Sequence, residues 1–144
     1  MKSTAILDLM VRDHGRITKL LNDVEKDIHN EVLPLMKTFD SFEWVLEKHI
    51  FTEEKAIFTS YNPVNIYEGY KMVPELIKEH NELLNRLRVM RSDLLKKKQS
   101  DFAWFKEKLM NHKRFEEETL YPKLDMELNE EQKLMIISRI EEMV

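Results

Sequence analysis

The strongest constraint on the fold is a ten-residue pattern that occurs twice, at residues 49–58 and 112–121. Both segments follow His-x-x-x-Glu-Glu-x-x-aliphatic-aromatic, and a lone histidine on an earlier helical segment precedes each of them. On a helix, a histidine and a glutamate four residues apart share one face and can reach the same metal ion or two adjacent ions. The duplication therefore supplies six candidate metal ligands, which are His14, His49, Glu53, His80, His112 and Glu116.

The composition favours an all-α protein. Only two of the 144 residues are glycine, and the length suits one domain with a single core. We therefore predict an antiparallel up-down-up-down four-helix bundle over about residues 3–122 and an additional short C-terminal helix over about residues 129–143. The first helix is predicted to start after Ser3 as N-cap, the second at a capping box of Asp40 with Glu43, and the third near Pro74. The fourth is predicted to start after Ser100 and to end at Tyr121-Pro122. The fifth is predicted to start at Asn129, with Gln132 in the reciprocal position.

The six candidate ligands are expected to meet inside this bundle. In an up-down-up-down arrangement each of the four histidines lies roughly 10–17 Å from the same end, at about 1.5 Å per residue. Each also interrupts an apolar stripe and should face the core. Burying two glutamates there without cations would cost several kcal/mol each or force them to protonate, so a metal site is the better interpretation. The fifth histidine, His29, lies roughly 22 Å further along the first helix and is expected at the surface.

Several classes of function are excluded or disfavoured by composition. The chain contains no cysteine, which excludes disulfides, thiolate metal sites and cysteine nucleophiles. The net charge of −4 comes from mixed charges without a basic stripe, so no nucleic-acid partner is expected. No signal peptide and no membrane-spanning segment is apparent, and we expect a cytoplasmic protein without a membrane partner. The C-terminal helix stripe of Leu134, Ile137 and Ile140 should pack along the bundle or form a homodimer.

Imidazole and carboxylate ligands without thiolates suit iron, manganese or zinc. If both glutamates bridge two ions, the protein fills four of six octahedral positions on each. An oxo or hydroxo bridge would take a fifth position and leave one open, unlike a closed structural zinc site. Such a centre suits a small diatomic molecule or peroxide.

The ligand pattern of His14, His49-x-x-x-Glu53, His80 and His112-x-x-x-Glu116 resembles that of hemerythrin-like proteins, also called HHE cation-binding domains. The resemblance covers roughly residues 1–122. It implies two iron ions in a four-helix bundle, with the two glutamates as bridging carboxylates and the four histidines as terminal ligands.

The chain departs from the oxygen-carrying members in two ways. Those proteins place two histidines four residues apart on the third helix, whereas Leu76 and Leu84 lie four residues from His80 here. They also end with an aspartate five residues after the last histidine, whereas Glu116 follows His112 by four. The absence of a second histidine ligand on the third helix opens the coordination sphere of one iron. The pattern is therefore closer to relatives associated with nitric oxide, peroxide or iron handling.

Three functions stay open at this point. The first is a protein that binds O2, NO or peroxide at the dinuclear site, which the lack of an obvious general acid or base beside the motifs favours. The second is a diiron enzyme that reduces NO or peroxide or supplies iron for iron–sulfur repair. The third is a metal-free helical interaction module. Glu54 and Glu117 are expected to face solvent or support the ligands. Glu79 and Tyr121 are expected mainly in surface or packing roles, with hydrogen bonding to the ligands as the alternative, and residues 61–72 are predicted to gate the site.

Overall fold

The computed structural model describes the backbone of residues 3–60, 66–98 and 101–142 and the side chains of residues 3–59, 72–98 and 101–142. All regular structure in these ranges is helical, with no β-strand, which confirms the predicted all-α class. The α-helices are α1 (Ala5–Asp27), α2 (Val32–Thr52), α3 (Ile66–Leu95), α4 (Phe102–Phe115), α5 (Tyr121–Glu127) and α6 (Glu130–Glu142). One π-helical turn at Glu53–Ile57 and a 3₁₀ turn at Phe58–Ser60 follow α2, and a second π-helical turn at Glu116–Leu120 joins α4 to α5.

The helices pack as a bundle around a polar layer. α1 contacts α2, α2 contacts α3, α3 contacts α4, and α1 also contacts α4. Along α1, Ile6 and Met10 belong to one buried apolar cluster, and Ile17, Leu21 and Val24 belong to another, with His14 between them. The candidate ligands thus lie between two apolar clusters that exclude water on either side.

The predicted starts of α2 and α3 are wrong. α2 begins at Val32, so Asp40 lies inside the helix, where Asp40 and Glu43 bind Arg91 of α3 instead of forming a capping box. α3 begins at Ile66, and Pro74 lies inside the helix with its ring exposed. Proline removes one helical hydrogen bond but can be accommodated where its ring does not displace core residues. Residues 66–72 of the predicted gate are therefore helical, and residues 61–65 lie outside the described residues.

The start of α1 is capped from a distant part of the chain. Ser3 is not its N-cap; its backbone N–H and its hydroxyl donate to Glu130 at 2.9 and 2.6 Å. The backbone N–H groups of Ile6 and Leu7 instead donate to the buried carboxylate of Asp125 at 3.1 and 3.0 Å. A helix start lacks intrahelical acceptors and attracts negative charge, so Asp125 fastens α5 to α1.

The C-terminal part of the chain agrees only partly with prediction. Asn129 and Gln132 form the predicted reciprocal cap of α6, with bonds of 2.9 and 2.8 Å. The inward face of α6, however, carries Lys133, Ile136 and Ile140, whereas Leu134 is 67% exposed. The buried Lys133 ammonium makes this phase possible because it donates to the Ser3 carbonyl at 2.8 Å and lies 3.7 Å from the Asp125 carboxylate.

The fourth helix does not stop at Tyr121-Pro122, because α5 continues from Tyr121 to Glu127. Pro122 stands in the first turn of α5, a position where its missing N–H costs little. Within the described ranges, no helix combines the length and apolar character needed to span a membrane.

Candidate metal centre

The six candidate ligands converge in the polar layer, and all of them are buried. They form two groups of four, in each of which one ligand atom per residue lies within 4.8 Å of the others. The first group, called position A here, contains His14, His49, Glu53 and Glu116; the second, position B, contains His80, His112, Glu53 and Glu116. The predicted convergence is therefore confirmed, and the two glutamates belong to both groups.

Glu53 directs one carboxylate oxygen toward each position. Its Oε1 lies 2.9 Å from Nε2 of His80 at position B. Its Oε2 lies 3.7 Å from Nε2 of His49 at position A. The side chain thus spans the two positions as a bridging carboxylate would.

Glu116 spans the same two positions from the opposite repeat. Its Oε1 lies 3.2 Å from Nε2 of His14 at position A, and its Oε2 lies 3.2 Å from Nε2 of His112 at position B. Both oxygens are fully buried and have no hydrogen-bond donor among the described residues. Two carboxylates that each face both histidine pairs could serve as ligands shared by two metal positions.

A π-helical turn begins at each of these glutamates, at the same place in both repeats. In each turn the backbone N–H five residues later bonds to the glutamate carbonyl: Phe58 to Glu53 and Tyr121 to Glu116. Because a π turn bonds residue i+5 to residue i, the aromatic residue lies about one turn beyond the glutamate on the same face. Sequence periodicity alone did not reveal these turns, because it assumes a regular α-helix.

The histidines are oriented by a second set of acids that contact their Nδ1 atoms. The pairs are His49 with Asp13 in a short hydrogen bond, His80 with Glu54 at 3.1 Å, His112 with Glu79 at 2.8 Å, and His14 with Glu117 at 3.6 Å. A carboxylate only accepts, so the three hydrogen-bonded rings carry their proton on Nδ1 and turn the Nε2 lone pair inward. These contacts are typical of metal-binding histidines.

The two repeats share a signal that would have revealed two of these acids. Asp13 directly precedes the lone His14, and Glu79 directly precedes the lone His80. Each acid bonds to the histidine of the following His-x-x-x-Glu motif. The sequence pattern did not predict a role for Asp13, and the structure gives Glu79 the less favoured of its two expected roles. Glu54 supports a ligand, which was one of its two predicted roles.

Burial and mutual repulsion perturb the protonation of the site. Burial, then the neighbouring His49, lowers the pKa of His14 to about 3, so this ring is neutral. Burial and then Glu53 raise the pKa of Glu116 well above its ordinary range. Burial opposes the charge on Glu53 as well, but the adjacent Glu116 carboxyl group and the neighbouring histidines outweigh burial and lower the pKa of Glu53.

These features fit a metal. Nε2 of His80 and of His112 are buried without a hydrogen-bond partner, as is Oε1 of Glu53. Nε2 of His14 faces Nε2 of His49 at 3.2 Å, so both ring nitrogens point into the same space at position A. Cations between these atoms would satisfy all of them and neutralise the buried carboxylates.

Tyr121 adds a hydroxyl group to the centre. Its side chain is fully buried, donates a short hydrogen bond to Oε2 of Glu53 and lies 3.5 Å from Nε2 of His14. Burial and then Glu53 raise the pKa of Tyr121 well above its ordinary range, so the hydroxyl keeps its proton. Tyr121 therefore has the hydrogen-bonding role that was the less favoured of its two expected roles, and packing is not its main contribution.

A small cavity adjoins the ligands. The volume that the centre of a water molecule could occupy there is about 20 Å³, enough for one small molecule. The four histidines and Glu116 form one wall, and the other walls are mainly aliphatic: Ile17, Leu46, Ile50, Leu83 and Leu109. His29, by contrast, is exposed and belongs to neither group, as predicted.

Comparison with protein families confirms the resemblance seen in the sequence. The model of the hemerythrin HHE cation-binding domain matches residues 5–124. The chain belongs to this family. Comparisons of this hemerythrin-like chain with curated proteins and with solved structures found no significant match. The family match covers nearly all of the predicted bundle, and a buried histidine and glutamate cluster that could hold metal lies within it. The single-domain organisation of residues 1–144 stays a prediction.

Proposed function

We propose that this hemerythrin-like protein holds two iron ions. We propose further that it binds O2 or a related small ligand (NO or peroxide) at open positions of these ions, next to the adjoining cavity. One observation carries the proposal: two histidine pairs share two buried glutamates, each with one oxygen toward each pair. His14 and His49 would hold the ion at position A, and His80 and His112 the ion at position B. Glu53 and Glu116 would bridge them.

The proposed centre requires a particular helix arrangement. We infer that α1, α2, α3 and α4 with its π-helical continuation run up-down-up-down, because His14 lies in the first half of α1, whereas His49 and His112 lie near the ends of α2 and α4. This inference is supported by the meeting of all four histidines in one layer between two apolar clusters. Short connections such as the one between α1 and α2 suit antiparallel neighbours.

The number of protein ligands leaves room for an exogenous molecule. Four side chains serve each position, whereas six-coordinate iron accepts two more donors. Leu76 and Leu84, one turn before and after His80, cannot coordinate a metal and so do not complete position B. Imidazole with carboxylate suits iron, with manganese or zinc as the alternatives to exclude by analysis.

The chain's own residues prepare the site for a small, weakly polar ligand. Leu46, Leu83 and Leu109 give the cavity an aliphatic wall that disfavours bulk water and charged solutes. Asp13 and Glu79 fix the motif histidines by accepting from their Nδ1 atoms. A pair of ferrous ions held here would supply the electrons and open positions needed to bind O2, NO or peroxide.

The proposal is tested by anaerobic reconstitution of the full chain with ferrous iron. Two irons per chain by mass spectrometry, followed by new near-ultraviolet absorption after O2 is added, are expected. The substitution His112→Ala should lower the iron content, whereas His29→Ala, at an exposed histidine outside both groups, should leave it at two. A natural chain that takes up no iron would refute the proposal.

The same preparation decides whether the protein is instead an enzyme that reduces NO or peroxide. The buried Tyr121 hydroxyl favours this second function, because it places a proton-bearing group beside the centre. Stopped-flow mixing should give one stable adduct per site for a binding protein. Several turnovers of NO or peroxide per site would identify an enzyme.

A homodimer through the C-terminal helix remains part of the proposal. Ile136 and Ile140 of α6 pack into the chain's own core, while Leu134 and Met135 are 67% and 61% exposed. A second subunit would therefore contact the outer face of α6. Analytical ultracentrifugation of the natural chain and of Leu134→Glu would test this, with a dimer expected only in the natural chain.

A further inference from the structure

The two repeats place an aromatic residue at the same point beside each metal position. Phe58 and Tyr121 follow Glu53 and Glu116 by five residues, and the π-helical turns bring both rings into the buried layer. The Phe58 ring stacks on His80 with centroids 5.7 Å apart and an interplanar angle of 5°. The Tyr121 ring lies against His14 at the same 5.7 Å, tilted by 42°. Each ring therefore covers the lone histidine of one position.

The hydroxyl of Tyr121 breaks this symmetry. It donates to Oε2 of Glu53, the oxygen that faces His49 at position A. Oε1 of Glu53, which faces position B, has no hydrogen-bond partner among the described residues. Phe58 has no group with which to bond Glu116, the corresponding carboxylate of the other repeat. Position A thus has a fixed carboxylate oxygen and a hydroxyl donor, whereas position B has a hydrocarbon ring.

Resting on the two-metal centre proposed above, we propose that Tyr121 is a positioning residue that makes the two metal positions inequivalent. It holds the Glu53 oxygen that serves position A, so that position A is the more preorganised of the two. Outer partners of metal ligands commonly alter metal affinity by about 10- to 100-fold. Position A should therefore fill first, and the two ions should bind in distinguishable steps.

The test is a pair of substitutions that removes and then reverses the asymmetry. Anaerobic titration with Co²⁺, followed by its visible absorption, gives the ratio of the two stepwise association constants for the full chain. In Tyr121→Phe both repeats carry phenylalanine, and this ratio should fall about 10-fold. In the double variant Phe58→Tyr with Tyr121→Phe, the hydroxyl moves to the other repeat and the ratio should recover.

A role in packing alone would give a different result. Loss of a merely structural hydroxyl would weaken both steps together and leave their ratio at the value of the natural chain, which would overturn the inference. If the double variant does not fold, Mössbauer spectra of the natural chain and Tyr121→Phe loaded with ⁵⁷Fe replace it. Two resolved quadrupole doublets that converge in Tyr121→Phe support the inference, and doublets unchanged by the substitution overturn it.

Failure of this inference is distinguishable from failure of the proposed function. A natural chain that binds no Co²⁺ and no iron would overturn the dinuclear centre itself. A natural chain that binds two ions, with an unchanged ratio in Tyr121→Phe, would overturn only the role of Tyr121.

Discussion

Replacing Glu116 with glutamine should stabilise the protein without metal and remove most of its stabilisation by metal. The Glu116 side chain is 0% exposed, and neither oxygen has a hydrogen-bond donor among the described residues. Burial and then Glu53 raise its pKa, so the folded chain favours the neutral acid. Because the pKa of Glu116 is higher in the folded than in the unfolded chain, the neutral acid stabilises the fold fully at a pH below the unfolded-state pKa. This stabilisation is lost as the pH rises through the folded-state pKa. Glutamine keeps the shape and removes this dependence.

The expected magnitude follows from the cost of a buried charge. Each pKa unit of upward shift corresponds to about 1.4 kcal/mol, and an unpaired buried carboxylate costs several kcal/mol. An unsatisfied buried amide still costs about 1–3 kcal/mol, which offsets part of the gain. A net stabilisation of about 1–3 kcal/mol at pH 7.5 is expected in the presence of a chelator. For a chain of this size that raises Tm by about 2–12 °C.

Metal should stabilise the natural chain far more than the variant. Free metal at 100 times its Kd would stabilise the natural chain by about 2.7 kcal/mol, or about 5–11 °C in Tm. Glu116→Gln should gain less than about a third of that, because the amide is a much poorer bridging ligand. Circular dichroism at increasing temperature, with and without Co²⁺, measures both effects. Glu118→Gln, an exposed glutamate in the same π-helical turn, is the matched control and should behave as the natural chain.

A less stable Glu116→Gln protein in chelator would refute the electrostatic reasoning, since it would mean that the carboxylate stabilises the fold by itself. Equal metal-induced shifts in Tm for the natural chain and the variant would refute the assignment of Glu116 as a ligand.

Three further predictions concern protons, ligand orientation and the α1 cap. Metal affinity should rise from pH 6 to pH 8, because the raised pKa values of Glu116 and His49 require protons to leave when a cation binds. Calorimetry in buffers of different ionisation heat should show this proton release, and a pH-independent affinity would contradict it. Asp13→Ala should weaken metal binding by about 10- to 100-fold, because the His49 ring loses its hydrogen-bond acceptor. Co²⁺ titration measures this affinity, with Asp8→Ala, at an exposed position, as the control. Equal affinities would show that Asp13 does not support the metal ligands. Asp125→Ala should lower the free energy of unfolding, measured in urea, by about 3 kcal/mol, because it uncaps α1 and removes a partner of the buried Lys133. The folded variant should still bind two metal ions. A decrease under about 1 kcal/mol would show that the cap is dispensable.

The candidate ligands could be found from sequence because their spacing is a property of single helices. His49 with Glu53 and His112 with Glu116 are one turn apart whatever the rest of the fold does. The apolar stripe around His14 predicted its burial for the same local reason. The helix class likewise follows from composition and periodicity over long segments.

Element starts were harder to predict because their stabilising partners lie far away in sequence. Ser3 and Asp40 both have the right chemistry for an N-cap, yet Ser3 bonds to Glu130 and Asp40 to Arg91. The cap of α1 comes from Asp125, about 120 residues later, and no local pattern announces that contact.

The sequence by itself determined the helical class and the residues available to bind metal, since both depend on the fixed geometry of a helical turn. Only the tertiary structure decided how these residues are supported. It brought Asp13 and Glu79 to histidines on other helices, inserted a π-helical turn at each glutamate, and aimed the Tyr121 hydroxyl at Glu53. These contacts join distant segments, and their geometry depends on how whole helices pack, which short-range spacing does not encode.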